Sequence, residues 1–260
     1  MIQIISQVKS IIVINLVVLT FMLVTSAKLS WSADDAVNKD RRERCVKILY
    51  EGLNQEDSFW VSVHAAENLL WNGYFDGVKE TFMARESTAG PEHRIGIWRV
   101  LARANKNNTT LYHSYVSLVR EAFMDQNSPD RLHAIESLGK LGFSERLPEI
   151  IHTAYEGKGV MKTYARWVLA NSGNPEDEAT LAEFLKSDDS RLYRTASYGL
   201  RFFKNVRPET LKLLEDCATR LSHDAENRVY VVSALYVHSP PIKEEKAKKR
   251  VAIIRPWKEE

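Results

Sequence analysis

Residues 133–142 read HAIESLGKLG, and this decapeptide recurs in altered form along the chain. HAAENLLWNG starts at His64, YARWVLANSG at Tyr164 and TASYGLRFFK at Thr195. The small residues Ala134, Ala165 and Ala196 stand 31 residues apart, and Ala65 steps 31 to Gly96 in IGIWRVLARA. Gly96 steps 38 to Ala134, which implies an insert of about seven, assigned to the polar loop Asn-Lys-Asn-Asn-Thr-Thr from Asn105. A weaker copy, YVVSALYVHS, puts Val231 in the same column. Four residues further on, the column reads Leu69, Val100, Leu138, Leu169, Leu200, Leu235. Three copies close on a glycine: Gly73, Gly142 and Gly173.

This spacing is helical. A small residue lets one helix approach its neighbour, and the aliphatic residue at i+4 shares its face. Glycine at the end supplies the left-handed conformation that stops the helix. Each copy is therefore the second helix of a hairpin. The first helices are expected over Val46–Leu53, Gly77–Ala84, Tyr112–Met124, Leu147–Tyr155, Glu178–Leu185 and Pro208–Leu221. Turn and capping signals such as Asn127-Ser128-Pro129-Asp130, Asn174-Pro175-Glu176-Asp177 and Ser187-Asp188-Asp189 separate them. One pair cannot bury its apolar face alone, so the pairs must stack. The expected fold is all-α: a right-handed α-solenoid of about six helical hairpins.

The repeat resembles the HEAT family, in particular the short HEAT-like repeats named after phycobilisome lyases. Arg131, Ala134, Leu138, Gly139 and Gly142 carry the resemblance best, with Ala65, Ala66, Leu69 and Gly73 next. Ala165, Leu169 and Gly173 match in part, and the copies at Gly96 and Val231 depart from the pattern. The resemblance spans about Arg44–Ser239 and implies architecture; a fold of this kind hosts many functions.

Outside the repeats the chain changes character. Ile11–Val24, IIVINLVVLTFMLV, is an apolar run of 14 residues, short of the roughly 20 of a free membrane span. With Lys9 before it and Thr25-Ser26-Ala27 after it, residues 1–33 read as a signal peptide or membrane anchor. Residues 34–239 form the repeat domain, and residues 240–260 a charged C-terminal tail or cap. The domain is thus expected outside the cytoplasm: periplasmic, secreted, or anchored and facing outward.

Composition excludes several classes. Over 260 residues, 36 Lys and Arg face 34 Asp and Glu, a net charge of +2 that argues against a nucleic-acid binder. Two cysteines, Cys45 and Cys217, cannot build a disulfide framework or a four-thiolate zinc site. No nucleophile elbow is present. Two His-x-x-Glu pairs recur in register, His64/Glu67 and His133/Glu136, at a workable metal-ligand spacing. The deoxyhypusine hydroxylase family, which is HEAT-like, holds iron through adjacent His-Glu dipeptides, and none of the seven histidines here precedes a Glu. The intervening repeat offers only Ile95 and Trp98 at the matching positions, so a metal-dependent enzyme is the weakest reading and no cofactor is expected.

A stripe down the second helices carries the functional expectation. It runs through Glu67, Trp98, Glu136, Trp167, Tyr198 and Ser233, with His64, Ile95, His133, Tyr164, Thr195 and Tyr230 three residues before each. Aromatic residues punctuated by acids have the composition of a recognition surface. The alternative is that the rings fill gaps between repeats, and Trp167 is the one expected to be core. Arg99, Arg103 and Arg166 flank the stripe. Glu67, Trp98, Arg99, Glu136, Tyr164, Arg166, Tyr198 and Tyr230 are therefore the candidate partner-binding residues of a non-catalytic scaffold that holds a protein on its concave side. An accessory domain of a membrane transporter or exported hydrolase, and a glycan-binding module, are the competing readings.

Overall fold

The structure, a computed structural model, describes residues 39–55 and 57–239. The apolar N-terminal segment and the charged tail lie outside the described residues. Twelve helices follow one another, with no strand among the described residues. Helix α1 runs through 39–53. Then come α2 (Phe59–Trp71), α3 (Val78–Glu86), α4 (Pro91–Ala104), α5 (Thr109–Met124), α6 (Arg131–Lys140), α7 (Pro148–Glu156) and α8 (Gly159–Ala170). Helix α9 (Pro175–Ala182) continues into a 3-10 turn, Glu183–Lys186, and α10 (Ser190–Leu200), α11 (Pro208–Arg220) and α12 (Ala225–His238) complete the array. None of the described helices is long and apolar enough to cross a membrane.

Local chemistry sets the boundaries. Proline opens α4, α7, α9 and α11, where its missing N–H has no helical partner to lose. Asn108, Asn174, Asp189 and Asp224 cap the helices that follow them by accepting from backbone N–H groups one turn in. Asp130 does not cap α6 with its side chain; its carboxylate instead receives Arg94 and Ser128. At the other end, Gly73, Gly142 and Gly173 take φ of 84°, 73° and 77°. Tyr74 N–H then reaches the Leu69 carbonyl and Phe143 N–H that of Leu138, which closes two of these ends.

The described residues divide into two compact units, one ending at Thr81 and one beginning at Phe82. In the first, α1 lies against α2: Ser62 Oγ donates to the Leu53 carbonyl at 2.6 Å, and Arg42 Nε to the Tyr74 hydroxyl at 3.2 Å. In the second, α5 packs on α6, α7 on α8, α9 and its turn on α10, and α11 on α12. The second helices α4, α6, α8, α10 and α12 also touch in unbroken succession. The repeat column is the reason: Ala134, Ala165, Ala196 and Val231 are all 0% exposed, as are Leu138, Leu169 and Leu200. This is an all-α architecture of repeated hairpins, consistent with a helical solenoid.

Within the second unit, polar ties join neighbouring hairpins at close to the sequence period. Arg99 Nη1 donates to Ser137 Oγ at 2.7 Å across 38 residues, the step from Gly96 to Ala134. Arg103 donates to the Lys140 carbonyl and Asn171 to those of Gly139 and Phe143, while Tyr112 donates to that of Leu141 within its own hairpin. The carbonyls at the end of α6 thus receive side-chain donors from both neighbouring repeats and from α5. Arg220 does the same for Leu185, Lys186 and Ser187.

The seven-residue insert is not an extended loop. Asn105–Asn108 makes a short turn, and α5 runs 16 residues where α7 has 9. The extra residues became helix because Asn108 caps the segment and Val116, Val119 and Phe123 bury one face of it. At the far end, α12 leaves Val232 and Tyr236 exposed, Tyr236 at 76%. These are the register positions that Ile135 and Gly139 bury on α6, and Arg166 and Ala170 on α8.

Candidate partner-binding face

Three consecutive second helices build the centre of this face. Glu136 on α6 is drawn to Lys140 one turn on, with Nζ 2.8 Å from Oε1, and to His133 one turn back, 3.8 Å away. Burial opposes its ionisation, but His133, Lys140 and the nearby Arg99 together hold the carboxyl down to about 2. Lys140 has a side chain only 5% exposed and lies 5.3 Å from the centre of the Tyr198 ring on α10. Tyr164 on α8 stands between these helices. Burial raises its hydroxyl above the ordinary phenol range, and the negative charge of Glu136 adds to the effect.

Trp167 is the floor. It is 0% exposed, with ring centres 5.9 Å from Tyr198, 5.1 Å from Phe202 and 6.2 Å from Tyr164. Gly139 and Gly199 flank it; a Cβ on either would stand 2.7 Å or 2.9 Å from ring atoms. The indole is thus wedged between α6 and α10, which only glycine permits at those two places. Trp167 is core, as its sequence context suggested. Tyr164 and Tyr198 remain half-buried above it.

The other candidate residues of the second unit spread out from this centre. Trp98 is half-buried on α4, with Arg94 5.5 Å over its ring and the guanidinium in turn paired to Asp130. Arg99 is fully buried on Ser137, so it is an inter-repeat tie whose charge reaches Glu136. Tyr230 on α12 lies beneath Arg194 of α10, whose guanidinium is 4.0 Å from its ring centre. Arg166 is placed apart: it is buried with its guanidinium 3.9 Å over Tyr155, inside its own hairpin. Glu67 belongs to the first unit, where it lies buried beside His64 at 3.4 Å. The residue that pattern reasoning missed is Lys140. It sits one position beyond Gly139 with no columnar signature, and only its i+4 spacing from Glu136 hinted at it.

Each His-Glu pair forms within its own helix, and among the described residues no three His, Cys, Asp or Glu gather in a group able to hold a metal ion. The acids at helix starts have structural partners. Asp177 pairs with Arg146, Glu178 accepts from the Arg207 N–H and Thr210, and Asp189 caps α10. Cys45 is exposed and Cys217 buried in the core of the last hairpins.

Comparison with known proteins adds little. No family model matches the chain, and no curated protein matches it. Two crystal structures of engineered proteins are similar. One is 15% identical, covers 74% of this chain and 95% of its own, and gives a TM-score of 0.33. The other is 18% identical, covers 80% and 60%, and gives 0.31. The architecture therefore rests on the helix packing itself.

Proposed function

We propose that this chain is a non-catalytic, right-handed HEAT-like solenoid, exported from the cytoplasm, whose second helices form a concave face that holds a protein partner. The observation that carries the reading is the group Glu136, Tyr164 and Tyr198, partly exposed above the wedged Trp167 and braced by the buried side chain of Lys140. Rings and charges fixed by a packed floor lose little freedom when a partner arrives, which favours them as binding anchors. Concavity is supported by spacing. The second helices touch in unbroken succession, the first helices more sparsely, and the closer layer of a curved array is its inner one.

The ionisable groups of the site suit binding better than proton transfer. Glu136 is held ionised and Tyr164 protonated through the neutral range, whereas a general acid or base works best near the ambient pH. Export rests on the Ile11–Val24 segment alone.

The test is retention of partner from the native envelope fraction by immobilised protein, with Trp98→Ala and Tyr198→Ala as variants and circular dichroism as the folding control. The reading expects a specific co-purifying protein, lost or weakened about tenfold or more in folded variants. Unchanged retention by both folded variants would contradict it.

A further inference from the structure

We propose that the second-helix face selects an acidic protein segment; this deepens, and rests on, the scaffold reading above. The chain as a whole is nearly neutral, but from α4 onward its charge is divided by layer. Helices α4, α6, α8, α10 and α12 carry ten Lys and Arg against three acids, Glu92, Glu136 and Glu226. Helices α5, α7, α9 with its turn, and α11 carry four against ten. Two of the three second-layer acids, Glu92 and Glu226, stand in first turns, where they complement helix dipoles. The third, Glu136, is a single carboxylate set among Lys140, Arg99 and His133.

The cations of this layer are mounted on the aromatic residues of the same face. Arg94 lies over Trp98, Lys140 and Arg201 approach Tyr198 at 5.3 and 5.8 Å, and Arg194 lies over Tyr230 at 4.0 Å. A guanidinium resting on a ring keeps its charge while losing mobility; Arg94 and Lys140 already engage Asp130 and Glu136, so Arg194 and Arg201 are the cations ready for a carboxylate. Arg201, at the end of α10, is exposed, and Arg194 is half-buried, so both are within reach of an incoming chain.

The geometry favours a peptide over other polyanions. Neighbouring helices pack about 8–10 Å apart, which an extended chain covers in about three residues. Carboxylates spaced about three apart would therefore meet successive repeats. A nucleic-acid groove would need a wide surplus of cations, and here Arg94 and Lys140 are already balanced by Asp130 and Glu136.

The experiment is fluorescence anisotropy with the full chain and a labelled short poly-glutamate peptide at low and high salt. Poly-lysine, a single-stranded oligonucleotide and phosphatidylglycerol vesicles are run as competing probes. The expected result is poly-glutamate binding that weakens with salt and falls about tenfold in Arg194→Gln/Arg201→Gln, with less than about a twofold change in Lys212→Gln on α11. If the double variant unfolds, Arg201→Gln alone carries the test, since that side chain is exposed. Absence of poly-glutamate binding, binding indifferent to the Arg201 substitution, or tighter binding of any competing probe would overturn the inference. Each of those results leaves the scaffold reading to its own test, because a neutral or basic partner could still be retained through Trp98 and Tyr198.

Discussion

Glu136 and Gly139 concentrate the physics of the site into one turn of α6. Because the folded pKa of Glu136 lies below its unfolded value, its carboxylate stabilises the fold fully above about pH 4.5. That contribution, on the order of 3 kcal/mol, is lost as pH falls toward 2. Glu136→Gln should thus lower the urea unfolding free energy by about 3 kcal/mol at pH 7, leaving Lys140 buried without its counter-charge. The difference from the parent protein should shrink steadily below pH 4.5; a pH-independent gap would refute the ion-pair account. Gly139→Ala sets two effects against each other. Alanine favours helix by about 1 kcal/mol, but its methyl would meet the Trp167 ring at 2.7 Å, an overpacking that costs about 1–3 kcal/mol or more. The clash should win because both α6 and α10 grip the indole, so a lower melting temperature is expected and a raised one would show that the wedge is loose.

Elements are held by their ends as much as by their faces. Asn171, at the close of α8, donates to two carbonyls at the end of α6, one repeat back. Asn171→Ala should cost about 1–2 kcal/mol in chemical denaturation and raise amide exchange around Gly142–Phe143. Loss of stability without that local signature would place the effect elsewhere. This scale also shows what a sequence can and cannot convey. The Ala134, Ala165, Ala196 column and the closing glycines set the helix pairs correctly, because small residues and left-handed turns are demands of the backbone. The polar stretch from Asn105 is a turn as far as Asn108, as its composition indicates, but it is shorter than expected because Asn108 caps a longer α5 that takes in Thr109 and Thr110. Asp130 looked like a cap and became a salt-bridge partner, because Arg94 arrives from a helix 36 residues away in sequence. Arg166 shares the stripe's neighbourhood in sequence but turns toward Tyr155, a choice fixed by packing that a column cannot express.

For the molecule as a whole, the informative quantity is how charge is distributed between layers. Net charge averages it away, so the neutral total concealed, from α4 onward, a second-helix layer rich in cations and a first-helix layer rich in acids. That division was legible once the helices were sorted into two sets, whereas the aromatic-cation contacts that mount the charges needed the fold. Array architecture adds an expectation of its own. Because the hairpins of the second unit contact their neighbours, a destabilising change such as Gly139→Ala should loosen α6, α8 and α10 together, read as joint loss of amide protection. The measurement that bears most directly on the central claim is partner retention by the folded Tyr198→Ala protein. A specific partner held by the parent chain and released by at least about tenfold in this variant is the predicted result. Equal retention by the two, with the helical fold intact in both, would show that the second-helix face is not where this protein binds.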